Sequence, residues 1–528
     1  YALGRTNDWS DNYGHGTHTA GSVLGNGSAS GSNPATHTYT NSFAGVAPEA
    51  QLVFQSIFKD FMSPPAVPAD LNNLFNPPYN DGARVHSNSW GEMGTGTYNG
   101  NCQEIDQFVW NHRDMVICFA AGNLGVDNLP LDGKIDNNSI SIPSTAKNCI
   151  TVGATESLRT GYGGVMNTWY KLSPQAFPLN PIKDDPIANN ASGMAAFSSR
   201  GPTTDGRIKP DICAPGTNII SCLSHHPMAF PGEGAYNSDY SFGSGTSMST
   251  PITAGSCVLI REFYARKGIN PSAALIKATL LNGAYDMTPG QYTSPQEIPV
   301  RPNSVEGWGR VDIKNSLIPP SPRNIYPVDY AAGLSTGSTK TYTYYVASSE
   351  IPLNVTLVWS DYPGMPTSAK GLVNDLNLTI TGPTGTIYRG NGGIIADNKN
   401  NVETIDITNP TPGLYTVTVS AFNVPYGPQP YALVASGAIC DAEPTQVDNI
   451  QAMKELPNGT AVSITRVPVS AIFKLCFYIE QPDRSSGIKV QYGPGGGPTL
   501  TLGQLVSVTG KINTVNGERV IENPIVTF

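Results

Sequence analysis

Residues 115–122, MVICFAAG, decide the fold. This apolar run has the length of a strand and ends at a glycine, which predicts a β-strand buried on both faces. Similar runs occur at 50–58, AQLVFQSIF, at 84–91, RVHSNSWG, and at 149–154, CITVGA, while 102–114, CQEIDQFVWNHRD, has the period of an amphipathic helix. Strands that alternate with helices predict a parallel sheet with helices on its faces.

The α/β pattern continues to about residue 318. Residues 245–268, GTSMSTPITAGSCVLIREFYARKG, predict a helix that ends at Gly268, and 272–284, SAALIKATLLNGA, predict another that begins near Pro271. The pattern ends near 307–312, GWGRVD, and the proline-rich join LIPPSPRNIYP follows. We therefore expect a first domain over residues 1–318.

Two all-β domains are expected after this join. Short alternating strands such as KTYTYYVA and GLYTVTVSAF, separated by Gly, Pro and Asn, predict an antiparallel β-sandwich or jelly roll over 319–438. Residues 441–528 contain few strands, and these suit a small OB-like β-barrel.

Composition excludes several classes of protein. The net charge is −9 and the pI is near 5.3, so the chain repels phosphate backbones and anionic lipids, and we expect neither nucleic acid nor a membrane surface as a partner. No apolar run is long enough to cross a bilayer. The eight cysteines lack metal-ligand spacing and do not suggest a disulfide framework.

Three residues form a candidate hydrolytic constellation. Ser247, in GSGTSMSTP, lies where a loop meets a helix, so the helix dipole favours a negative charge beside its hydroxyl. His15, in DNYGHGTHTAG, lies between glycines and could accept the serine proton. Asn123 follows the strand MVICFAAG and could donate its amide to an oxyanion.

Each of these residues also has an ordinary structural interpretation. A serine before a helix is commonly an N-cap, and an asparagine after a glycine is commonly a turn residue. A metal site at His15 and His18 is disfavoured because their spacing is three residues and no third ligand motif follows. We interpret His18 as a buried packing residue.

Together the motifs resemble those of the subtilisin-like serine proteases, or subtilases, over about residues 1–315. GHGTHTAG is similar to the histidine box and GTSMSTP to the serine box, with AAGN at the position of the oxyanion asparagine. The resemblance implies a subtilisin-like parallel sheet, Ser247 as nucleophile, His15 as general base and Asn123 as oxyanion donor. It also implies that a peptide substrate is bound by the following residues: Ser89, Trp90, Gly91, Ala120, Ala121 and Gly122.

The resemblance also implies a triad aspartate at the end of a strand before the histidine. Asp8 and Asp11 are the only acids before His15, and neither follows an apolar strand. Three explanations stay open, in order of preference: an incomplete record of a longer protein, a nicked protein that retains its own N-terminal fragment, or a truncated chain that is no longer an efficient protease.

The middle segment resembles the C-terminal β-barrel of the subtilase subgroup that includes oxidatively stable alkaline proteases. It contains clustered oxygen ligands that suit a structural calcium ion, although they could equally be ordinary turn residues. The candidate ligands are Asp361, Asp375, Asp397, Asn401 and Glu403.

We expect a secreted, extracellular serine endopeptidase that cleaves protein or peptide substrates and uses no cofactor for catalysis. The alternative is a catalytically incomplete, subtilase-derived extracellular protein that binds partners, has a structural role or self-assembles, for which homo-assembly would suit the Tyr-, Gly- and Asn-rich chain.

Overall fold

The fold is described from a computed structural model. It describes residues 1, 3, 9–30, 42–57, 65–94, 96–159, 167–227, 229, 232–366 and 368–528. The chain forms two compact units. The first contains residues 1–311, 360–373 and 399–401, and the second contains the remainder.

The first unit is built on a parallel sheet of four strands in the order β1-β2-β3-β4. All three neighbouring pairs run parallel, as the alternation of strands and helices predicts. Its two central strands are buried along their whole length, which explains why their sequences are almost entirely apolar. The strands are β1 (Val85–Asn88), β2 (Val116–Ala120), β3 (Ile150–Thr155) and β4 (Ile212–Pro215).

Among the described residues, a small antiparallel sheet and six α-helices complete this unit. The sheet has the order β5-β7-β6. Its strands are β5 (Ile219–Cys222), β6 (Gly234–Ala235) and β7 (Tyr240–Gly243). The helices are α1 (His15–Leu24), α2 (Asn72–Asn80), α3 (Gly100–Asn111), α4 (Trp169–Leu172), α5 (Thr246–Ala265) and α6 (Ala273–Asn282).

The predicted helices are confirmed, with small differences at their ends. α5 ends at Ala265, and Gly268 lies three residues later in the left-handed conformation, where it terminates the turn that follows the helix. α6 begins after Ser272, whose hydroxyl accepts the N–H of Leu275. A glycine after a helix and a serine before one are common helix caps, so both boundaries follow from residue types in the sequence.

Among the described residues, the predicted strand at 50–58 forms only a short pairing with the start of the chain: Ser56 N donates to Tyr1 O and Leu3 N donates to Ser56 O, at 2.9 Å each. Within 51–57 only Ser56 makes an isolated bridge, and the main-chain groups of Val53 and Gln55 make no backbone hydrogen bond to the described residues. A strand needs a neighbour to pair with, and this segment borders a cavity on its sheet side.

The second unit begins with α7 (Ile313–Leu317) and two antiparallel sheets in the middle segment. One has the order β13-β10-β15-β8 and the other β12-β11-β14-β9-β16. Their strands are β8 (Asn324–Leu334), β9 (Thr339–Val346), β10 (Leu353–Val358), β11 (Asp375–Thr381), β12 (Ile387–Arg389), β13 (Val402–Ile407), β14 (Gly413–Asn423), β15 (Gln429–Gly437) and β16 (Ile439–Cys440). The two sheets agree with the predicted antiparallel architecture, while a jelly-roll topology stays a prediction.

The last segment forms a closed barrel. Its sheet has the order β17-β18-β19-β20-β22-β21, and β18 also pairs with β21, which closes the ring. β20 and β22 run parallel, and the interior is filled by aliphatic and aromatic side chains such as Ile464, Phe477 and Val508. The elements are β17 (Thr445–Gln446), α8 (Ile450–Glu455), β18 (Ala461–Ile472), β19 (Cys476–Glu480), β20 (Gly487–Gln491), β21 (Leu505–Val515) and β22 (Glu518–Thr527). The finer OB-like description stays a prediction.

The two units differ from the three predicted domains: both all-β segments belong to the second unit, and part of the middle segment belongs to the first. Residues 360–373 and 399–401, expected in the sandwich domain, belong to the first unit. The reason is a buried ion pair: Lys147 Nζ donates to Asp361 Oδ2 at 2.6 Å and to Tyr362 O at 2.6 Å. Asn148 adds a reciprocal pair of hydrogen bonds to the main chain of Asp361.

No helix in the described ranges is long and apolar enough to cross a membrane.

The Lys147–Asp361 pair gives a testable prediction for stability. Both side chains are fully buried, so Asp361→Ala removes the carboxylate that contacts the buried ammonium group at 2.6 Å and leaves it only Asp106, at 3.9 Å. We expect the free energy of unfolding of the first unit to fall by about 3–5 kcal/mol, measured by urea denaturation. Glu262→Ala is the matched control: its exposed pair with Arg266 should change the same quantity by less than about 1 kcal/mol. Equal effects of both variants would contradict this account.

Candidate active site

Ser247 is the second residue of α5, at the positive end of a helix of 20 residues. Its hydroxyl donates to Ser89 O at 3.3 Å, and Ser89 Oγ donates to Ser247 O at 2.8 Å. The residue that follows β1 is therefore held against the start of α5. Gly245, just before the helix, has φ 147°, a conformation that favours glycine.

Asn123 is oriented by the residue before the serine. Its Oδ1 accepts the N–H of Thr246 at 2.9 Å and the Thr246 hydroxyl at 2.9 Å. Both donors bind Oδ1, so the amide nitrogen Nδ2 is directed away from Thr246. Nδ2 donates no hydrogen bond to the described residues. Asn123 is exposed, and Nδ2 lies 3.3 Å from the position that a Cβ on Gly245 would occupy. An unoccupied amide donor thus lies beside the residues that lead into Ser247.

His15 begins α1 and is held by the turn before it. Asp11 Oδ1 accepts the N–H of Gly14 at 2.9 Å, and Asp11 Oδ2 accepts the N–H and the hydroxyl of Thr17 at 2.7 Å each. The ring of Tyr13 stacks on His15 with centroids 5.6 Å apart. Both Asp11 oxygens are therefore used to fix the start of the helix that carries His15.

The imidazole of His15 makes no hydrogen bond to the described residues. Burial lowers the pKa of His15, and the nearby Asp11 carboxylate partly opposes that shift. The Ser247 hydroxyl donates to Ser89 O instead of to His15. Asp11 is thus an electrostatic neighbour of the histidine without being its hydrogen-bonded partner, and Asp8 lies outside the described residues.

His18 is a packing residue, as predicted. It is buried, its Nε2 lies 3.2 Å from both Ile219 O and Ser241 O, and burial lowers its pKa to about 4. It therefore joins α1 to the small β5-β7-β6 sheet as a neutral ring.

The predicted substrate-binding residues lie in two neighbouring segments. Ser89, Trp90 and Gly91 directly follow β1, and Ala120–Gly122 end and follow the adjacent β2. Trp90 is fixed by its Nε1, which donates to Asn88 Oδ1 at 3.1 Å, and by an edge contact with Phe119. Both segments thus border the edge of the sheet where parallel strands end, the usual place for a site.

A third segment of this region, residues 140–142, was missed by the sequence analysis. Ser141 N donates to Ala121 O at 2.9 Å, and Ile142 exchanges two main-chain hydrogen bonds with Glu92. This segment pairs with both predicted substrate-binding segments. The alternation in 139–142, SISI, was the only sequence signal for an extended conformation here.

A cavity of about 200 Å³ extends from His15 into the sheet. Consecutive residues border it on both sides, 50–57 on one and 85–90 on the other. Successive side chains of an extended segment point to opposite faces, so a cavity lying on one face would contact every second residue. Because every residue of these two segments borders the cavity, the cavity lies along their main-chain edges. Apolar residues of the flanking helices cover it, including Val23, Leu74 and Val258. We call it the edge cavity.

The five candidate calcium ligands are divided between the two compact units. Asp361 and Asn401 belong to the first unit, whereas Asp375, Asp397 and Glu403 belong to the second. Asp361 is paired with the Lys147 ammonium, which would repel a cation, so the predicted five-residue set does not fit calcium. In the described ranges, no group of three or more His, Cys, Asp or Glu side chains is arranged to hold a metal ion.

Comparison with known proteins identifies the family of the chain. The model of the subtilase family matches residues 3–309, more than half of the chain. The chain belongs to the subtilase family. The subgroup with a C-terminal β-barrel stays a prediction.

Several proteins named as proteases are similar in sequence or structure. The serine protease/ABC transporter B family protein tagD of Dictyostelium discoideum is 28% identical over 542 residues, which cover 80% of this chain and 28% of that protein. The serine protease AprX of Bacillus subtilis is 30% identical over 275 residues, 49% of this chain and 50% of that protein. The prenylagaramide maturation protease PagA has a TM-score of 0.39 at 18% identity, covering 58% of this chain and 81% of PagA. The chain thus spans under a third of tagD.

Gly122 gives a prediction for the backbone beside Asn123. It has φ 108°, and a Cβ there would lie 2.0 Å from Ser141 Oγ. Gly122→Ala should therefore lower the melting temperature, with a cost of about 1–3 kcal/mol. Differential scanning fluorimetry should show partial recovery in the Gly122→Ala/Ser141→Gly double variant. Gly100→Ala, which meets no atom within 4 Å, is the control and should leave the melting temperature unchanged or higher.

His18 gives a prediction for pH dependence. Its pKa is about 4 in the folded chain against an ordinary value of 6.5, so the unfolded chain binds more protons between these pH values. The free energy of unfolding should therefore fall as pH drops from 6.5 towards 4. Urea denaturation across this range should show a weaker dependence of the free energy of unfolding on pH for His18→Gln than for the wild type. An equal dependence in both proteins would contradict this account.

Proposed function

We propose that this subtilase is a serine endopeptidase in which Ser247 is the nucleophile, His15 the general base and Asn123 an oxyanion donor. The observation that carries the proposal is the orientation of Asn123: Thr246 takes both positions on its Oδ1, which frees Nδ2 beside the start of α5. A fixed amide donor next to a helix-terminal serine is what stabilises a developing oxyanion.

The reaction would proceed through an acyl-enzyme. Ser247 Oγ attacks the peptide carbonyl carbon, and its proton passes to the imidazole of His15. The carbonyl oxygen becomes an oxyanion that accepts hydrogen bonds from Asn123 Nδ2 and from the main-chain N–H of Ser247. His15 then returns the proton to the leaving amine as the C–N bond breaks. A water molecule, deprotonated by His15, hydrolyses the resulting ester and regenerates the hydroxyl.

An extended peptide is the substrate that the neighbouring segments suit. Residues 89–91 follow β1 as exposed or half-buried main chain, and Ser89 is bonded to Ser247 in both directions. A peptide paired along these residues would present its carbonyl group to the serine. Protein or peptide substrates are also what membership of a protease family implies.

The edge cavity supports the proposal of a triad acid on an extended segment. β1 pairs with β2 along one edge only, and its other edge borders the cavity. A strand added there in the parallel direction would end at the same edge of the sheet as Asn88, and His15 borders the cavity as well. A carboxylate at its final residue would therefore meet the imidazole. Such a segment could come from the same protein or from a retained fragment.

An alternative is a catalytically incomplete protein that binds partners or self-assembles through its β segments. It is favoured by the described geometry of His15, which has no hydrogen-bonded carboxylate, and of Ser247, whose hydroxyl is held by Ser89 O. An extracellular location and homo-assembly remain part of the proposals.

Two variants test the proposed roles. Ser247→Ala should abolish hydrolysis of a quenched fluorescent casein, because no acyl acceptor remains. Asn123→Ala should lower kcat by about 10²–10³ with little change in KM, because the lost donor acts on the oxyanion. Ser249→Ala, a buried serine two residues along α5, is the matched control and should retain activity. Equal turnover by wild type and Ser247→Ala contradicts the mechanism.

A peptide tests the proposed acid. The probe is a soluble lysine-tagged peptide with five β-branched apolar residues followed by Asp-Thr-Gly, and its control ends in Asn-Thr-Gly. The Asp peptide should raise kcat by up to about 10⁴, whereas the Asn peptide should bind without raising it. Hydrogen exchange should show protection of residues 85–88 with both peptides. Protection without activation by the Asp peptide refutes the assigned acid.

A further inference from the structure

A second cavity of about 200 Å³ lies in the first unit, apart from the residues assigned to hydrolysis. One side is formed by residues 133–135, and another by residues 295–297. Trp169, Ile182 and Val305 give it apolar walls. Its volume is enough for several water molecules or for one small organic molecule. We call it the arginine cavity, because Arg200 lines it.

Arg200 is buried without a full set of partners. Arg200 is only 5% exposed. Nη1 donates to Ile135 O at 3.5 Å, at the limit of a hydrogen bond, and Nε has no partner. No carboxylate in the described ranges lies within ion-pair distance of this guanidinium. A buried guanidinium normally has a bidentate acceptor, because desolvation of an unpaired charge is costly.

The acidic groups around Arg200 do not replace that acceptor. Glu297 interacts with Arg200 electrostatically, but its Oε1 accepts the N–H of Met194 at 2.9 Å and its Oε2 accepts the N–H of Gln291 at 2.8 Å. Burial also raises the pKa of Glu297, which weakens it as a counterion. Asp136 contributes a longer-range attraction and is exposed, as is Lys134 at the rim. Two further carboxylates near the cavity, Glu156 and Asp185, accept hydrogen bonds from Trp169 and Gln291. The guanidinium of Arg200 is therefore left without a hydrogen-bonded carboxylate among the described residues, although acidic side chains lie around it.

We propose that the arginine cavity binds a small organic carboxylate whose two oxygens accept N–H groups of Arg200. A monoanion matches the single guanidinium, and the apolar walls suit a short carbon chain. Inorganic phosphate fits less well, because at neutral pH it carries more negative charge than a carboxylate and the surrounding side chains are already acidic. The proposal is independent of hydrolysis by Ser247.

Hydrogen bonds of Ser199, the residue before Arg200, connect the arginine cavity to the main chain around Asn123. The neighbouring Ser199 donates its N–H to Gly122 O at 2.9 Å, and Ser199 Oγ accepts the N–H of Leu124 at 3.1 Å. Arg200 itself is held by Ser139, which donates its N–H to Arg200 O at 2.8 Å. A carboxylate on Arg200 would thus stabilise the backbone on both sides of Asn123.

Thermal denaturation with butyrate as the probe tests the proposal. Millimolar butyrate should raise the melting temperature of the wild type in a saturable way, whereas the neutral isostere butyramide should not. Arg200→Met should lose the butyrate shift, and Arg266→Met, at a side chain 76% exposed, should keep it. Isothermal titration calorimetry should give one butyrate site per chain, absent in Arg200→Met.

Three outcomes overturn the proposal. One is an equal shift with butyrate and butyramide, and another is a butyrate shift that persists in Arg200→Met. The third is a saturable shift with inorganic phosphate alone, which would identify a different anion. If Arg200→Met does not fold, Arg200→Lys serves in its place: it keeps the charge, loses the bidentate geometry and should bind butyrate at least about tenfold more weakly.

Discussion

The hydrogen bonds between Asn123 Oδ1 and Thr246 join the two halves of the site. They connect the loop after β2 to the first turn of α5, and the reciprocal bonds of Ser89 and Ser247 connect the loop after β1 to the same turn. A parallel sheet makes this possible, because all its strands end at one edge. Everything proposed about catalysis depends on these contacts keeping the serine, the amide donor and the substrate-binding main chain in one place.

Small residues allow these segments to approach one another. Gly122 and Gly245 both have positive φ, and a side chain on Gly122 would collide with Ser141. The main chain can therefore turn sharply on either side of the amide donor. The positions of Asn123 and Ser247 are fixed by contacts among the described residues. For His15, the described contacts come from Asp11, Tyr13 and the first turn of α1.

Much of this site could be predicted from the sequence. The strand before Asn123 is apolar throughout because it is buried on both faces, and the boxes around His15 and Ser247 contain their own glycines and helix signals. The attachment of residues 360–373 to the first unit could not be predicted, because it depends on a buried pair between residues 214 positions apart, Lys147 and Asp361. Among the described residues, the predicted strand at 50–58 forms only a short pairing with Tyr1 and Leu3 for a related reason: apolar composition is a local property, while a ladder needs a partner supplied from elsewhere in the chain.

The most direct test of the account is fluorophosphonate labelling of the purified chain, with the modified residue located by mass spectrometry. The account predicts a single adduct on Ser247, formed faster when an Asp-bearing strand is supplied and much more slowly in Asn123→Ala. An adduct on another serine, or none on Ser247 under any of these conditions, would contradict it.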